Sequence, residues 1–582
     1  VNFLEESEKI CSKYLFLEPN LYSYNMAKKQ HTQTSQGKIE SKKQAIAQPS
    51  SIHSSPIFAF SAQQMLGITL ALAGLYFLYS RSADGFYQQD EAAHFVSMKG
   101  FWHNPNSVLS NWAKPGYKLL YAIPSLFGSD FVMLINCLVA AFTCFFAYQI
   151  AKLLGSKIAI LAFVLTATQP LWINLAFRNY SELITALLLS VAVYFHYKEK
   201  HIFASLSVSY IVFIRQEFYP ILGLYFLYLV VNKRFIPAIL LGVFPLVHQV
   251  WGMAVTGDPL YLLNQILGTS EQIAGQYPRK GFMHYFKMSI TIFGSVAVTL
   301  WVAYLWTWLF ERVNHWRSKI GFYEGLKDKG NPILVVSVLY FLMNCIFNSQ
   351  TLQIGPATGG NLRYLLIISP LVAVLGTLQV EKFKLSNYKP QILILMSVFA
   401  LLVAIFMTHP HNFVIFNEEE RDWMPLIGVI ASLFLMILPL KLKQDLIGLS
   451  VVALFIVLVT VRPIKLSEED KACKNLARWY EQYELAKGEP PQLFVHHEMF
   501  YYYLGRTPYD FQAKPKAIEE KFLKDAPKGS LIIWDSHYSY RPKMRAESLM
   551  YNYFTEKPNQ YETLNQIVAA DQTFGILVFE KK

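Results

Sequence analysis

The residues best equipped for chemistry are Gln88-Gln89-Asp90-Glu91-Ala92-Ala93-His94, two adjacent carboxylates and an imidazole just past the first long apolar run. They open a polar, aromatic loop that continues through Trp102, His103, Trp112 and the Lys114-Pro115-Gly116 turn. Ionisable groups at a bilayer edge are costly unless they have partners or a task, so the acids read as a working site. The competing reading is a hydrated loop whose acids cap a short helix.

Further charged groups recur along the chain. In Arg178-Asn179-Tyr180-Ser181-Glu182 the arginine and glutamate lie four apart. They form either an ion pair on one helix face or a phosphate-binding guanidinium fork held by Glu182. Arg215 and Glu217 interrupt an apolar stretch from Ile202 to Val231. Burying them mid-run would cost about 3 kcal/mol each, so they mark a tight turn between two short helices or face a cavity. Thr256-Gly257-Asp258-Pro259-Leu260-Tyr261 reads as a turn entering a helix, with Asp258 at the N-cap and Pro259 at the first helical position. The loop after it, with Arg279-Lys280-Gly281, is amphipathic enough to lie on the outer leaflet. The Gly-rich stretch Gly355 to Arg363-Tyr364 matches no phosphate-loop pattern. Arg363 opens an apolar helix, where a cation either snorkels to lipid or grips a ligand phosphate. His409-Pro410-His411 and His496-His497-Glu498 lack metal-site spacing and read as structural or surface features.

The elements that must position these groups are apolar helices. Of 582 residues, 53% are hydrophobic and 16% charged, and the apolar residues gather into runs of about twenty, enough at about 1.5 Å per residue to cross about 30 Å of hydrocarbon. The class is a polytopic α-helical membrane protein; a β-barrel would need short alternating segments. Spans are expected at 57–80, 131–154, 158–176, 181–197, 202–214, 216–232, 235–256, 289–311, 332–348, 364–380, 390–408, 424–440 and 446–461, about thirteen in all. The stretch Tyr117–Phe127 reads as a helix lying at the surface. Cys11, Cys137, Cys144, Cys345 and Cys473 show no paired spacing.

The net charge of +12 is a topology signal before it is a nucleic-acid signal. Short alternate loops carry pairs such as Lys152/Lys157, Lys198/Lys200, Lys233/Arg234 and Lys441/Lys443, which assigns them to the cytoplasm. The opposite loops hold Asp90/Glu91, Arg178, Arg215/Glu217, Asp258, Arg363 and the 409/411 histidines. This one-sidedness predicts a shared water-filled cavity open to the outer face. Residues 1–56 are an expected disordered cytoplasmic tail, with Met26-Ala27-Lys28-Lys29 reading as a natural start and 1–25 as an over-extension. Residues 57–463 form the membrane domain, with a large first outer loop at 81–130. Residues 464–582 form an extracytoplasmic α/β domain with a helix at Glu468–Leu485 and strands at Leu493–His496, Leu531–Trp534 and Gly575–Phe579. Short helices are expected there at Tyr501–Gly505 and Lys516–Leu523. That segment shows no nucleophile–base pattern and is assigned substrate positioning.

The order of these features (one span, a loop with Asp90-Glu91 and His94, Lys114-Pro115-Gly116, the Arg178 to Glu182 segment, the turn at 256–261, the Arg363-Tyr364 span start) resembles the GT-C superfamily of membrane glycosyltransferases. It is similar to relatives of the protein O-mannosyltransferases and the aminoarabinose transferases of lipid A, over roughly residues 57–464. The resemblance implies a sugar donor on a polyprenyl phosphate or diphosphate and inverting transfer on the extracytoplasmic face, in a bacterial inner membrane, to a protein, lipid or glycan acceptor. It implies Asp90 or Glu91 as general base, with Arg178, Arg215, Arg363 or Lys114 stabilising the departing phosphate. His94, Glu182, Glu217, Asp258 and Tyr364 complete the implied substrate-binding set. A carboxylate at a low-dielectric wall would have its pKa raised toward the operating pH. No Asp-x-Asp motif occurs in the loop, so no metal ligand is assigned, and a divalent cation stays an open alternative. A glycan ligase shares the donor chemistry; a flippase would bury its charges near the midplane and show internal repeats.

Overall fold

The computed structural model describes residues 60–83, 85–86, 88–109, 114–274, 278–317, 329–352, 359–383, 424–444, 446–447, 450, 466–542 and 545–582. The N-terminal tail, the 390–408 span, most of 446–461, Trp112, Gly355 to Thr358 and the 409/411 histidines lie outside them.

The helix Ala62–Arg81 starts where its sequence supplies a reciprocal cap. Ser61 Oγ accepts the Gln64 N–H at 3.2 Å, and Gln64 Oε1 accepts the Ser61 N–H at 2.8 Å. Four described helices are long and apolar enough to cross a membrane: Ala62–Arg81, Ser129–Leu153, Phe235–Thr256 and Leu362–Lys382. Shorter apolar helices accompany them at Ser181–Tyr197, His201–Ile214, Gln216–Val231, Asn331–Phe347 and Ile427–Ile437. Leu362–Lys382 is almost wholly buried, whereas Phe235–Thr256 exposes Phe235, Ile236, Ile239, Leu246 and Val250. Such a surface suits lipid contact and would be a liability in water. The protein is a multi-pass membrane protein.

Several expected spans are broken, each for a local reason. The run at 158–176 divides into Ile160–Ala167 and Pro170–Leu175, because Pro170 has no N–H to continue the ladder. Gln169 Nε2 donates to the Ser369 carbonyl at 3.1 Å across this break. Gly294, at φ 80°, separates His284–Phe293 from Ser295–Arg317. The 364–380 run begins as a seven-residue 3-10 helix, Leu362–Ile368, before Ser369–Lys382. At Arg215 the chain turns between His201–Ile214 and the short 3-10 helix Gln216–Phe218, followed by Tyr219–Val231. Pro115–Leu126 buries Tyr117, Lys118 and Tyr121 while exposing Leu120, Ile123 and Leu126, the division expected of a helix at an interface.

The C-terminal segment carries a four-stranded sheet of β1 (Leu493–Val495), β2 (Leu531–Asp535), β3 (Tyr561–Val568) and β4 (Gly575–Lys581). Its order is β1-β2-β4-β3, with β1 parallel to β2 and the other pairs antiparallel. Strand β3 was not expected, because most of its side chains are exposed or half-exposed and leave little apolar pattern to read. The helix expected at Tyr501–Gly505 runs from Glu498 to Leu504 instead, capped by the His497 ring nitrogen, which accepts the Met499 N–H at 3.3 Å. The segment docks on the helix Gln89–Gly100. Ala92 and Val96 enter a core with Tyr480, Met499 and Phe500. Tyr502 packs on Phe86 and Phe95 and accepts the Phe86 N–H at 3.0 Å.

Candidate active site

The helix Gln89–Gly100 gives its two first-turn acids opposite fates. Glu91 points inward and is fully buried. Arg178 grips its Oε2 through both Nε, at 2.9 Å, and Nη2. The Asn179 N–H donates to Oε1 at 2.9 Å, and Asn179 Nδ2 donates to the Glu91 carbonyl at 2.9 Å. Tyr117 in turn donates to Asn179 Oδ1 at 2.6 Å. These are the bonds of an anchor. Asp90, one residue earlier, keeps 41% of its side chain exposed and, among the described residues, accepts a single side-chain hydrogen bond, from Arg363 Nη2 at 2.7 Å. Burial pushes the Asp90 carboxyl up, but the Arg363 guanidinium and the Lys114 ammonium outweigh it and hold it below the ordinary carboxylate range. The expectation of a raised pKa therefore fails for Asp90, because the cations that make the site also stabilise its charged form.

Behind Asp90 lies a buried charge cluster drawn from distant parts of the chain. Glu182, fully buried, has Oε1 2.8 Å from Arg215 Nη1 and 3.2 Å from Arg363 Nε. Neither approach completes a hydrogen bond, so that oxygen and Arg363 Nε are held by charge and proximity. Arg215 also donates to Ser181 Oγ at 3.1 Å and to Glu217 Oε1 at 2.5 Å. Tyr340 approaches the same Glu217 oxygen at 3.4 Å. Aromatic faces support the guanidiniums: Arg363 lies 4.3 Å over Tyr180 and Arg215 lies 4.7 Å over Tyr364. Lys114 is within electrostatic reach of Glu182, Arg215, Arg363 and Asp90.

Backbone geometry at the flanks is unusual. Gln88 (φ 93°) and Lys114 (φ 56°) are non-glycine residues at positive φ at the edges of this charge cluster. The Lys114 turn is pressed onto the helix that ends at Arg215. Tyr210 donates to the Gly116 carbonyl at 2.9 Å, and a Cβ on Gly116 would lie 3.0 Å from Phe213 and Ile214 side-chain atoms.

Of the residues singled out from sequence, Asp90, Lys114, Glu182, Arg215, Glu217, Arg363 and Tyr364 converge on this cluster. Arg178 and Glu91 form the anchor beside it. The expected Arg178–Glu182 pair is not made. Residues 178–180 are non-helical and the helix begins at Ser181, so four residues do not span one turn there. His94 sits beneath the site, its Nδ1 2.7 Å from Lys118 Nζ, which also donates to the His94 carbonyl at 3.1 Å. Burial pushes both groups below their ordinary pKa values. Asp258 bonds locally, accepting from the Leu260 N–H at 2.9 Å and Asn264 Nδ2 at 2.8 Å. The helix there begins at Tyr261, so Asp258 closes a turn rather than taking the expected N-cap.

Sequence reasoning quoted Gln88 and Tyr180 within their stretches without giving them a role, and missed Lys118 and a grouping in the C-terminal segment. Glu469 Oε1 lies 2.9 Å from both His497 Nε2 and His537 Nδ1, beside Asp470, whose Oδ1 accepts the Gln88 N–H at 3.4 Å. The separations, 28 and 68 residues, carry no sequence signal. Because His497 Nδ1 accepts the Met499 N–H, its Nε2 carries the proton toward Glu469 rather than a lone pair for a metal. Among the described residues, no group of three or more His, Cys, Asp or Glu is arranged to hold a metal ion.

Arg363 is positioned by the glycine turn before it. Gly360, at φ 72°, has no room for a Cβ, which would meet Lys280 Cγ at 2.6 Å and His284 Nε2 at 2.7 Å. His284 and Tyr285 hold the carbonyls of Gly360 and Asn361 at 2.8 and 3.1 Å. Gly360→Ala is expected to cost about 1–2 kcal/mol of local strain and to displace Arg363. Thermal unfolding and ligand affinity of the purified variant check this, and unchanged values in both would remove Gly360 from the support of the site.

No family model matches the sequence, and comparison with curated proteins returns no relative. Solved structures do resemble the fold. ArnT from Cupriavidus metallidurans bound to undecaprenyl phosphate superposes with a TM-score of 0.53 at 10% identity, covering 89% of this chain and 98% of that one. The apo form of the same protein gives 0.49 at 13% identity over the same shares. The Archaeoglobus fulgidus oligosaccharyltransferase tethered with an acceptor peptide gives 0.43 at 10% identity, covering 89% of this chain and 74% of that one. The first likeness spans nearly the whole of both chains, and this protein shares the fold of that structure.

Proposed function

We propose that the protein is a membrane glycosyltransferase that moves a sugar from a polyprenyl-phosphate or diphosphate donor to a nucleophilic acceptor. The observation that carries this reading is one solvent-open carboxylate, Asp90, set against Arg363 and Lys114 at the ends of apolar helices. In a fold similar to ArnT, whose crystal structure holds undecaprenyl phosphate, that pairing suits a lipid phosphate leaving group at a bilayer edge. The mechanism is an inverting displacement. Asp90 takes the proton of the acceptor hydroxyl or amine as its oxygen or nitrogen attacks the anomeric carbon. The bond from that carbon to the phosphate oxygen breaks, and its electron pair stays on the phosphate. Arg363 and Lys114 meet the charge developing there, with Arg215 and Glu182 holding Arg363 and Lys114 in register. The positive-inside pattern supports a site on the extracytoplasmic face, and the likeness to ArnT from Cupriavidus metallidurans supports a bacterial inner membrane as the setting. The acceptor, whether protein, lipid or glycan, would approach past the C-terminal segment.

Mass spectrometry of lipid co-purifying with the protein tests the donor class; a polyprenyl-phosphate sugar is the expected species, and its absence together with no affinity for undecaprenyl phosphate would sink the reading. The pH dependence is a second expected result. Burial, the largest cause, together with Arg215 and Arg363, lowers the half-buried Lys114 ammonium to about 8. Lys114 is thus charged below that pH and neutral above it, so undecaprenyl phosphate affinity should fall as pH rises through about 8. In Lys114→Arg the fall should vanish, because a guanidinium stays charged. Binding isotherms between pH 7 and 9 would show it.

A further inference from the structure

The charges at the site impose a constraint. Among the described residues, Lys114, Arg215 and Arg363 face Asp90, Glu182 and Glu217, three cations against three carboxylates, while Arg178 pairs with Glu91 and Lys118 is offset by Glu498. By themselves these side chains are balanced. A phosphate entering it adds negative charge in a poorly solvated place, and is accommodated only if one carboxylate yields its claim on a cation.

The three acids are unequal in that respect. Glu182 has no exposed surface and lies between two guanidiniums. Glu217 is held by Arg215 at 2.5 Å with Tyr340 beside it. Asp90 alone keeps 41% of its side chain exposed, and Arg363 at 2.7 Å is its one side-chain hydrogen bond among the described residues. Water can replace that partner at small cost.

Arg363 is equally suited to change partners. It sits in the 3-10 stretch Leu362–Ile368 that opens the buried helix, seven residues long where runs beyond three or four are uncommon. Its Nε lies 3.2 Å from Glu182 without completing a hydrogen bond. Its guanidinium rests on the Tyr180 ring at 4.3 Å, a flat support on which it can slide.

We infer that Arg363 is a shared cation, held by Asp90 while the site is empty and taken over by the lipid phosphate when the donor binds, so that donor binding itself releases the base. This rests on the glycosyltransferase reading above. Asp90 is a poor base while Arg363 holds it, since a neighbouring cation stabilises the carboxylate. Once Arg363 has moved to phosphate, Asp90 is left with less positive charge and a stronger pull on the acceptor proton. The base is therefore weak until a donor is present, and binding is ordered, donor first.

The test is direct binding of undecaprenyl phosphate to the full-length protein in detergent. If Asp90 competes for Arg363, Asp90→Asn should bind the lipid phosphate about three- to tenfold more tightly than wild type, the worth of one half-exposed charge-assisted hydrogen bond. Asp90→Ser should do the same, which guards against a folding defect in either variant. Arg363→Gln should weaken binding about tenfold or more, and adding Asp90→Asn to it should restore nothing. Unchanged or weaker binding in both Asp90 variants, or a gain that persists without Arg363, would overturn the inference. Wild-type protein with no affinity for undecaprenyl phosphate would instead overturn the functional reading beneath it.

Discussion

Asp90→Asn should abolish sugar transfer, lowering turnover by about 10²–10⁴-fold, while leaving expression and thermal unfolding close to wild type. The amide keeps the shape of the side chain but cannot accept the acceptor's proton. Little stability is at risk, because the carboxylate is 41% exposed and gives up one hydrogen bond. The loss should fall on kcat. KM for the donor should hold or improve, since Arg363 is no longer claimed by an acid. Transfer of radiolabelled sugar from the lipid carrier, measured in membranes and in purified protein, reads this out. Persistent transfer in Asp90→Asn would remove Asp90 from the role of base.

Glu91→Gln should behave in the opposite way, although it changes the adjacent residue in the same manner. Its main effect is expected on folding, with a destabilisation of about 3–5 kcal/mol from leaving the buried Arg178 charge uncompensated. The two Arg178 contacts fall on Oε2 and the Asn179 N–H bond on Oε1, so a glutamine, with one oxygen and one NH2, cannot accept both sets. Arg178→Met alone should be comparably harmful, whereas combining it with Glu91→Gln removes both charges and should recover part of the loss. Thermal unfolding of the three variants in one detergent measures the coupling. Additive losses in the double variant would mean that Glu91 and Arg178 do not act as a pair.

These two expectations mark the boundary between what could be read from the chain and what could not. Apolar runs of bilayer length, interrupted at Arg215 by groups too costly to bury mid-span, already specify a multi-pass helical protein with a turn at that position. The observed helices His201–Ile214 and Tyr219–Val231 follow that reading. The candidate charges were equally visible, because a lone arginine or paired acids in an apolar sequence stand out against their background. Their partners were not. Arg178 and Glu182 are four apart yet separate, since the helix begins between them, while Arg363 meets Asp90 across 273 residues. The grouping of Glu469 with His497 and His537 gave no periodic signal, as it joins a helix, a cap and a turn.

The sequence by itself determined the solvent of this protein and the side chains capable of chemistry, because hydrophobic run length and the cost of buried charge are local properties. Which of two neighbouring acids faces water, and which arginine each one holds, was decided only by tertiary packing. Successive residues on a helix point about 100° apart, and what lies in each direction is supplied by segments far away in the chain.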